Sequence, residues 1–342
     1  MAAHPQSMTQ LIRWGIVGCG DVTEIKSGPG FQQAEGSALV AVMRRDRARA
    51  EDYARRHGVR RVHTHAADLI ADPDVDAVYV ATPPAAHREL ALMAAAARKP
   101  CLVEKPMAVN HAECVEMVEA FRQRGVPLWV AYYRRALPRF LLVRDLLAAG
   151  AIGRVTSVQV ELFQRLASGD EAGAWRVDAA ISGGGLFLDM GSHCLDLLDF
   201  LLGPIEDVSG WAMNTGGAYA AEDVTAAAFR FGGDIAGTGI WNFNAGHGRD
   251  AVTFTGSLGE LSTPVFRDGD VVVRKLDAEE VHPVRNPPHV HQPLIQSIVD
   301  ELRGRGRCES TGESAARTSR VMDACIDAYY QPRRDPDRLL RR

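Results

Sequence analysis

LIRWGIVGCGDV, residues 11–22, is an apolar run that stops at Gly18-Cys19-Gly20 and gives way to a polar segment able to open a helix. Strand, glycine turn and helix in that order open a βαβ unit. With no side chains at Gly18 and Gly20, backbone N–H groups can approach a pyrophosphate at the start of the helix. Thr23 stands where a third glycine is usual. The turn by itself also reads as an ordinary tight turn, and the surrounding pattern is what favours the dinucleotide reading.

That pattern repeats outward. A strand over 38–43 precedes Arg44-Arg45-Asp46 and the amphipathic run ARAEDYARRHG, which ends at Gly58. VDAVYVA, residues 75–81, is almost continuously apolar and stops at Thr82-Pro83-Pro84, and an alanine-rich helical stretch follows over 87–98. A strand over 100–103 ends at Glu104-Lys105-Pro106, Asn110 and Glu113 suit a capping box for a helix over 111–124, and 126–132 is one more strand. Apolar runs of this kind indicate strands buried on both faces. The expectation is a flexible tail over 1–10 and an α/β domain over 11–135 built on a parallel doubly wound sheet.

Beyond a helix over 137–149 the rhythm changes. VTSVQVELF, residues 155–163, alternates, and β-rich stretches recur over 205–213, 223–231, 235–243, 250–256 and 270–275, joined by turns such as Phe231-Gly232-Gly233-Asp234 and Arg267-Asp268-Gly269-Asp270. The segment over 182–203 breaks the series with three glycines, an amphipathic helix and a stop at Gly203-Pro204. These features predict a second domain over 136–342, of α+β class, with a large, mostly antiparallel open sheet. Two last helices, over 292–303 and 313–329, could pack back on either part.

Composition narrows the function. A chain of 342 residues is long enough for about two cores. With 39 basic and 43 acidic residues the net charge is −4, against a nucleic-acid-binding face. The six cysteines show no C-x-x-C pair, disfavouring disulfides and structural zinc. His63-x-His65 and His289-x-His291 lack further ligands at a metal-site spacing, so no metal is expected. Neither an apolar run of membrane length nor a signal-peptide stretch is visible, and the expectation is a cytoplasmic protein without membrane partners.

Three motifs are candidates for chemistry. Arg44 and Arg45 end strand two, where an acidic residue suits a ribose 2′-OH and arginine suits a 2′-phosphate. They favour NADP over NAD, the competing reading being two solvated arginines. Lysine occurs only at Lys26, Lys99, Lys105 and Lys275, and Lys105 falls where ligands collect in parallel sheets. It is suited to hold a substrate hydroxyl or polarise a carbonyl, and the proline after it could be cis. Asp189 and His193 are spaced i,i+4 after Gly183-Gly184-Gly185, on one face of a helix, so a carboxylate could orient an imidazole for acid–base work. A structural histidine is the alternative. Asp196 and Asp199 read as capping or solvated, and Cys194 as a small buried residue.

GIVGCGDV at 15–22, VATPPAAH at 80–87, VEKPMAVN at 103–110 and GGGLFLDMGSH at 183–193 together resemble the Gfo/Idh/MocA family of nicotinamide-dependent oxidoreductases over nearly the whole chain. The resemblance implies Lys105, Asp189 and His193 as the catalytic set. It implies a cofactor site lined by Gly18, Gly20, Asp21, Val22, Thr82, Pro83, His87, Glu104 and Lys105, with Arg44 and Arg45 departing from the acidic residue of NAD-preferring members. It also implies a homodimer or homotetramer through the open sheet. Tyr133, Arg134, Trp175 and Arg176 lie in segments expected to reach a small-molecule substrate. The expected reaction is reversible hydride transfer between nicotinamide and a secondary alcohol or ketone of a sugar, polyol or related cyclic alcohol. The alternatives are an NAD-dependent glycosidase working by transient oxidation and elimination, and a non-catalytic sugar or cofactor sensor.

Overall fold

Alternate residues of Ile12–Val17 (β1) enter two different cores, which is why the run is mostly apolar: Trp14 and Ile16 pack on one side and Val17 on the other, while Arg13 pairs with Asp74 and Asp76. The same division holds in Ala77–Val80 (β4), where Ala77 and Tyr79 oppose Val78 and Val80, and in Cys101–Val103 (β5), where Leu102 opposes Cys101 and Val103. In the computed structural model, which describes residues 11–165 and 174–334, these strands join Ser37–Met43 (β2), Arg61–His63 (β3) and Leu128–Val130 (β6). The sheet has the order β3-β2-β1-β4-β5-β6 and every pairing is parallel. The tail expected over 1–10 lies outside the described residues.

This sheet belongs to a first unit, comprising the chain up to Ala108, Ala112–Leu137 and Pro287–Ala316. Its second face is closed by helix Gln292–Leu302, whose Leu294, Ile295, Ile298 and Val299 join Trp14, Phe31 and Tyr79 in one core. The Phe31 ring stands 4.8 Å from Trp14 and 5.2 Å from Tyr79. Each buried aliphatic side chain contributes roughly 1.5–3 kcal/mol relative to exposure.

The second unit comprises Val109–His111, Pro138–Asn286 and the chain from Arg317 on. Its sheet has eight strands: Val155–Phe163 (β7), Ile205–Met213 (β8), Val224–Phe231 (β9), Ile235–Asn242 (β10), Arg249–Gly256 (β11), Gly259–Thr263 (β12), Val271–Lys275 (β13) and Ala278–His282 (β14). The order is β14-β13-β12-β11-β7-β10-β9-β8, antiparallel except for the parallel pair of β7 and β10. One face buries Phe229, Phe231 and Trp241. On the other face Trp211, Ala226 and Ile240 stand side by side across three strands, with Trp211 and Ile240 exposed.

The sequence pattern missed β3, β12 and β14, which are short and polar; β14 is an exposed edge strand, AEEVH, with no apolar face to reveal it. The helix expected after the three glycines of the 182–203 segment is not a single α-helix. Phe187–Gly191 is a π-helical turn, and the α-helix runs from Ser192 to Leu202. Asp196 and Asp199 are buried, and Asp199 accepts two hydrogen bonds of 2.8 Å from Arg317, so their reading as capping or solvated residues is corrected.

Candidate active site

In the first unit every residue expected at the cofactor follows the carboxyl end of a strand. Gly18 and Gly20 follow β1, with Asp21 and Val22 opening the short helix Asp21–Ile25. Arg44 and Arg45 follow β2, Thr82 and Pro83 follow β4, and Glu104 and Lys105 follow β5. Tyr133 and Arg134 lie in the 3₁₀ turn Tyr133–Ala136 after β6. The chain steps outward from β1 to β2 and then crosses back to β4, and this reversal leaves the crevice in which open α/β sheets bind ligands.

The turn after β1 distributes its amides differently from the sequence expectation. Gly18 and Cys19 donate to the Met43 carbonyl (2.9 and 3.2 Å), and Gly20 donates to the Thr23 hydroxyl (3.0 Å). Thr23 Oγ1 returns a bond to the Gly20 carbonyl at 2.7 Å. The threonine in the third glycine's place thus closes the turn, and Asp21 and Val22 begin the helix, where their first-turn amides have no intrahelical acceptor. Glycine is required for shape at Gly18 and not at Gly20. Gly18 has φ of 93°, where a Cβ would come within 2.8 Å of Thr82 Cγ2, and a Cβ on Gly20 would meet nothing nearer than 3.8 Å. Thr82 Oγ1 is buried with no hydrogen-bond partner among the described residues. Arg44 Nη1 donates to the Cys19 carbonyl at 3.2 Å, which lays its guanidinium along the turn, while Arg45 is exposed. An open glycine face, an unsatisfied hydroxyl and an adjacent guanidinium fit a pyrophosphate-bearing dinucleotide.

Lys105 is held from behind. Glu104 is buried, accepts from the Tyr79 hydroxyl and from the Lys105 amide (3.1 Å), and burial pushes its pKa above the usual carboxylate value. The Lys105–Pro106 peptide is cis. His87 is fully buried and spans the Thr82 carbonyl (Nε2, 2.7 Å) and the Pro106 carbonyl (Nδ1, 3.0 Å). Burial lowers its pKa, and a neutral ring donates to one of those carbonyls at a time. His87 therefore ties together the loops that carry Thr82 and Lys105. His291 is a residue the sequence reading passed over except as a metal candidate. Its ring lies 3.8 Å from Glu104 Oε1 and 4.4 Å from the Tyr133 ring. Burial, with Lys26, Lys105 and Arg134, pushes its pKa down to about 3, so it is a neutral ring.

In the second unit Phe187 anchors the π-helical turn against Trp241 at 4.9 Å. Asp189 is half-buried and pairs with Arg176 (Nε–Oδ2, 3.4 Å), whose guanidinium lies 4.5 Å over the Trp175 ring. The sequence thus singled out three residues here, Trp175, Arg176 and Asp189, that the fold joins. His193 follows in the α-helix, buried, with its ring edge-on to Phe266 at 6.0 Å. The Asp250 carboxylate fixes that phenylalanine by accepting from the amides of Val265, Phe266 and Arg267 (2.9, 2.9 and 2.7 Å), and Arg139 Nη1 donates to the carbonyls of Pro264 and Arg267. Asp189 falls in the π turn and His193 in the second position of the α-helix that follows it, so the four-residue spacing spans a change of helix type.

Among the described residues no group of three or more His, Cys, Asp or Glu is gathered to hold a metal. His63 contacts Asp72 (3.2 Å), and the His289 ring sits on the Ile25 carbonyl (2.6 Å). The six cysteines are buried thiols. No described helix is long and apolar enough to cross a membrane.

Comparison with known proteins matches both units. Residues 12–132 fit the model described as "Oxidoreductase family, NAD-binding Rossmann fold", and residues 140–262 fit the GFO/IDH/MocA C-terminal domain. The chain is 37% identical over 320 residues to Oxidoreductase P35 of Formosa agariphila, covering 92% of this chain and 98% of that protein. It is 30% identical over 310 residues to 1,5-anhydro-D-fructose reductase of Ensifer adhaerens, covering 88% and 91%. Among solved structures, an aldose-aldose oxidoreductase from Caulobacter crescentus complexed with glycerol shares the fold, with a TM-score of 0.83, 22% identity and coverage of 94% and 98%.

Proposed function

The chain belongs to the Gfo/Idh/MocA family of NAD(P)-dependent oxidoreductases, which act on CH–OH and ketone groups, and from that membership we propose an NADP-preferring enzyme that interconverts a ketone and a secondary alcohol on a sugar, polyol or related cyclic alcohol. The observation that carries the NADP preference is the Arg44 guanidinium on the Cys19 carbonyl, at the end of the strand where a 2′-phosphate would lie. Arg45, exposed beside it, supplies a second charge-assisted donor. Asp21 and Val22 amides would face the pyrophosphate, with Gly18, Gly20, Thr82 and Pro83 shaping its bed. Glu104 and His87 act from behind by fixing Lys105 and the Thr82 loop.

A nicotinamide held there would supply or accept the hydride. Lys105 holds the substrate oxygen and sets positive charge against the alkoxide that develops there. His193 takes or returns the hydroxyl proton, and Asp189, balanced by Arg176, orients that exchange. Tyr133, Arg134, Trp175 and Arg176 contact the substrate. The similarity to a reductase named for 1,5-anhydro-D-fructose supports a carbonyl on a sugar ring. The exposed stripe of Trp211 and Ile240 supports a homo-oligomer through the open sheet face.

The test is cofactor binding by the double variant R44A/R45A. Tryptophan-fluorescence titration is expected to show NADPH weakened at least about tenfold, with NADH within about twofold, as loss of charge-assisted phosphate contacts requires. Equal weakening of both cofactors overturns the 2′-phosphate assignment.

A further inference from the structure

Glu222 has no part in the reaction scheme above, yet it is fully buried directly behind the glycine run that leads to Asp189. One carboxyl oxygen, Oε1, accepts from the Gly185 amide at 2.8 Å, and the other, Oε2, accepts from the Tyr330 hydroxyl at 2.5 Å. Gly185 is two residues before the π-helical turn Phe187–Gly191. A Cβ on Gly185 would lie 2.3 Å from the Glu222 carbonyl oxygen and 3.1 Å from its carboxyl carbon. A side chain at that position and Glu222 in its present place exclude one another. The glutamate therefore bridges helix Gly312–Arg334, which carries Tyr330, to the backbone from which the Asp189–His193 segment starts.

We propose that Glu222 is a positioning residue: through the Gly185 amide its carboxylate fixes the turn that presents Asp189 and His193, and Tyr330 anchors it. The inference rests on the reading of Asp189 and His193 as the acid–base pair.

The groups facing Glu222 make its charge state part of the device. Asp223 adjoins it, with its own carboxylate committed to the amides of Thr215 (2.8 Å) and Gly216 (2.6 Å). Tyr219 is pushed up to about 12 by burial, Asp223 and Glu222. Tyr330 is also pushed up, chiefly by burial and then by Glu222, and its ring meets Tyr329 edge-on at 5.0 Å. Burial pushes Glu222 itself up to about 7; Asp223 adds to the rise, while Tyr330 and the Gly185 amide oppose it. Ionised, both oxygens accept, and the Gly185 bond is charge-assisted. Protonated, the carboxyl turns donor toward Tyr330 and holds Gly185 only as a neutral acceptor, so the turn loosens as pH falls through neutrality.

The experiment compares kcat against pH for wild type, E222Q, E222A and Y330F, with hydrogen exchange of the peptide spanning 183–195 as a readout independent of turnover. Glutamine keeps an acceptor for Gly185 but cannot titrate, so E222Q is expected to flatten the acid limb while staying within about threefold of wild type at about pH 8. E222A falls at least about thirtyfold throughout. Y330F removes a donor to the carboxylate, and the limb moves upward by about one unit. Exchange of 183–195, corrected for its intrinsic pH dependence, rises on acidification in wild type and stays level in E222Q. Profiles and exchange in E222Q and Y330F that superpose on wild type overturn the proposal. If H193N instead retains wild-type turnover, the acid–base reading fails, and the exchange data alone decide the role of Glu222.

Discussion

Lys105 and Glu222 occupy contrasting environments, and each makes a prediction at the scale of the side chain. Lys105 is half-buried at the sheet edge, backed by Glu104 and fixed by the loop that His87 ties down. Replacing it with alanine removes the group set against the developing alkoxide, and kcat/KM is expected to fall at least roughly a hundredfold. A loss below about fivefold in steady-state assays would remove Lys105 from the catalytic set. Glu222 makes a stability prediction. Its folded pKa, near 7, stands above the ordinary 4.5, so between those values the native state holds a proton that the unfolded chain has released. Stability therefore falls as pH rises across that window, by an amount on the order of 1–3 kcal/mol. E222Q never ionises; its melting temperature is expected to exceed that of wild type above about pH 7, and the gain should vanish below about pH 4.5. A difference that calorimetry finds constant with pH would contradict the shifted carboxyl.

At the scale of elements, what the sequence revealed follows from burial. β1, β4 and β5 were legible because both faces are covered, and β7 because its alternation maps one covered face. β3 and β14 were not, since an edge strand of charged residues has no periodic burial to betray it. Lys105, Asp189 and His193 were singled out by residue type and place, and their proposed roles rest on that reading. The π-helical turn under Asp189 was not legible, because it depends on the Phe187 contact with Trp241 rather than on local propensity. Glu222 left only an adjacent Glu-Asp pair before β9 as a signal, and its partner, Tyr330, is 108 residues away in the chain. Thr23 was visible as a departure from the glycine pattern, but its role in taking up the Gly20 amide needed coordinates. Helix Gln292–Leu302 showed its apolar stripe, though not the surface it covers. Ile298→Ala, at the middle of that stripe, is expected to destabilise the protein by about 2–5 kcal/mol in urea unfolding. A cost under about 0.5 kcal/mol would show that the helix does not seal this core.

At the scale of the whole molecule, the eight-stranded sheet leaves Trp211, Met213 and Ile240 exposed, at 62%, 44% and 41% of their surface. Large apolar groups aligned across neighbouring strands are costly to leave in water, and a second copy of the chain is the proposed cover. If a second copy covers this face, wild type is expected to sediment as an oligomer and Trp211→Asp as a folded monomer in sedimentation velocity. An unchanged sedimentation coefficient would place the interface elsewhere. Both units match one oxidoreductase family, and the first gathers its glycine turn, Arg44 and Lys105 along a single sheet edge. This edge is proposed to support NADP-linked turnover of a sugar-type carbonyl. A direct assay follows the nicotinamide absorbance band of NADPH, and separately of NADH, while purified protein is mixed with a panel of keto-sugars and cyclic ketones. Loss of the band is expected with at least one keto-sugar, faster with NADPH than with NADH. Turnover with NADH alone would contradict the NADP preference, and binding of both cofactors with no turnover across the panel would contradict the reductase reading.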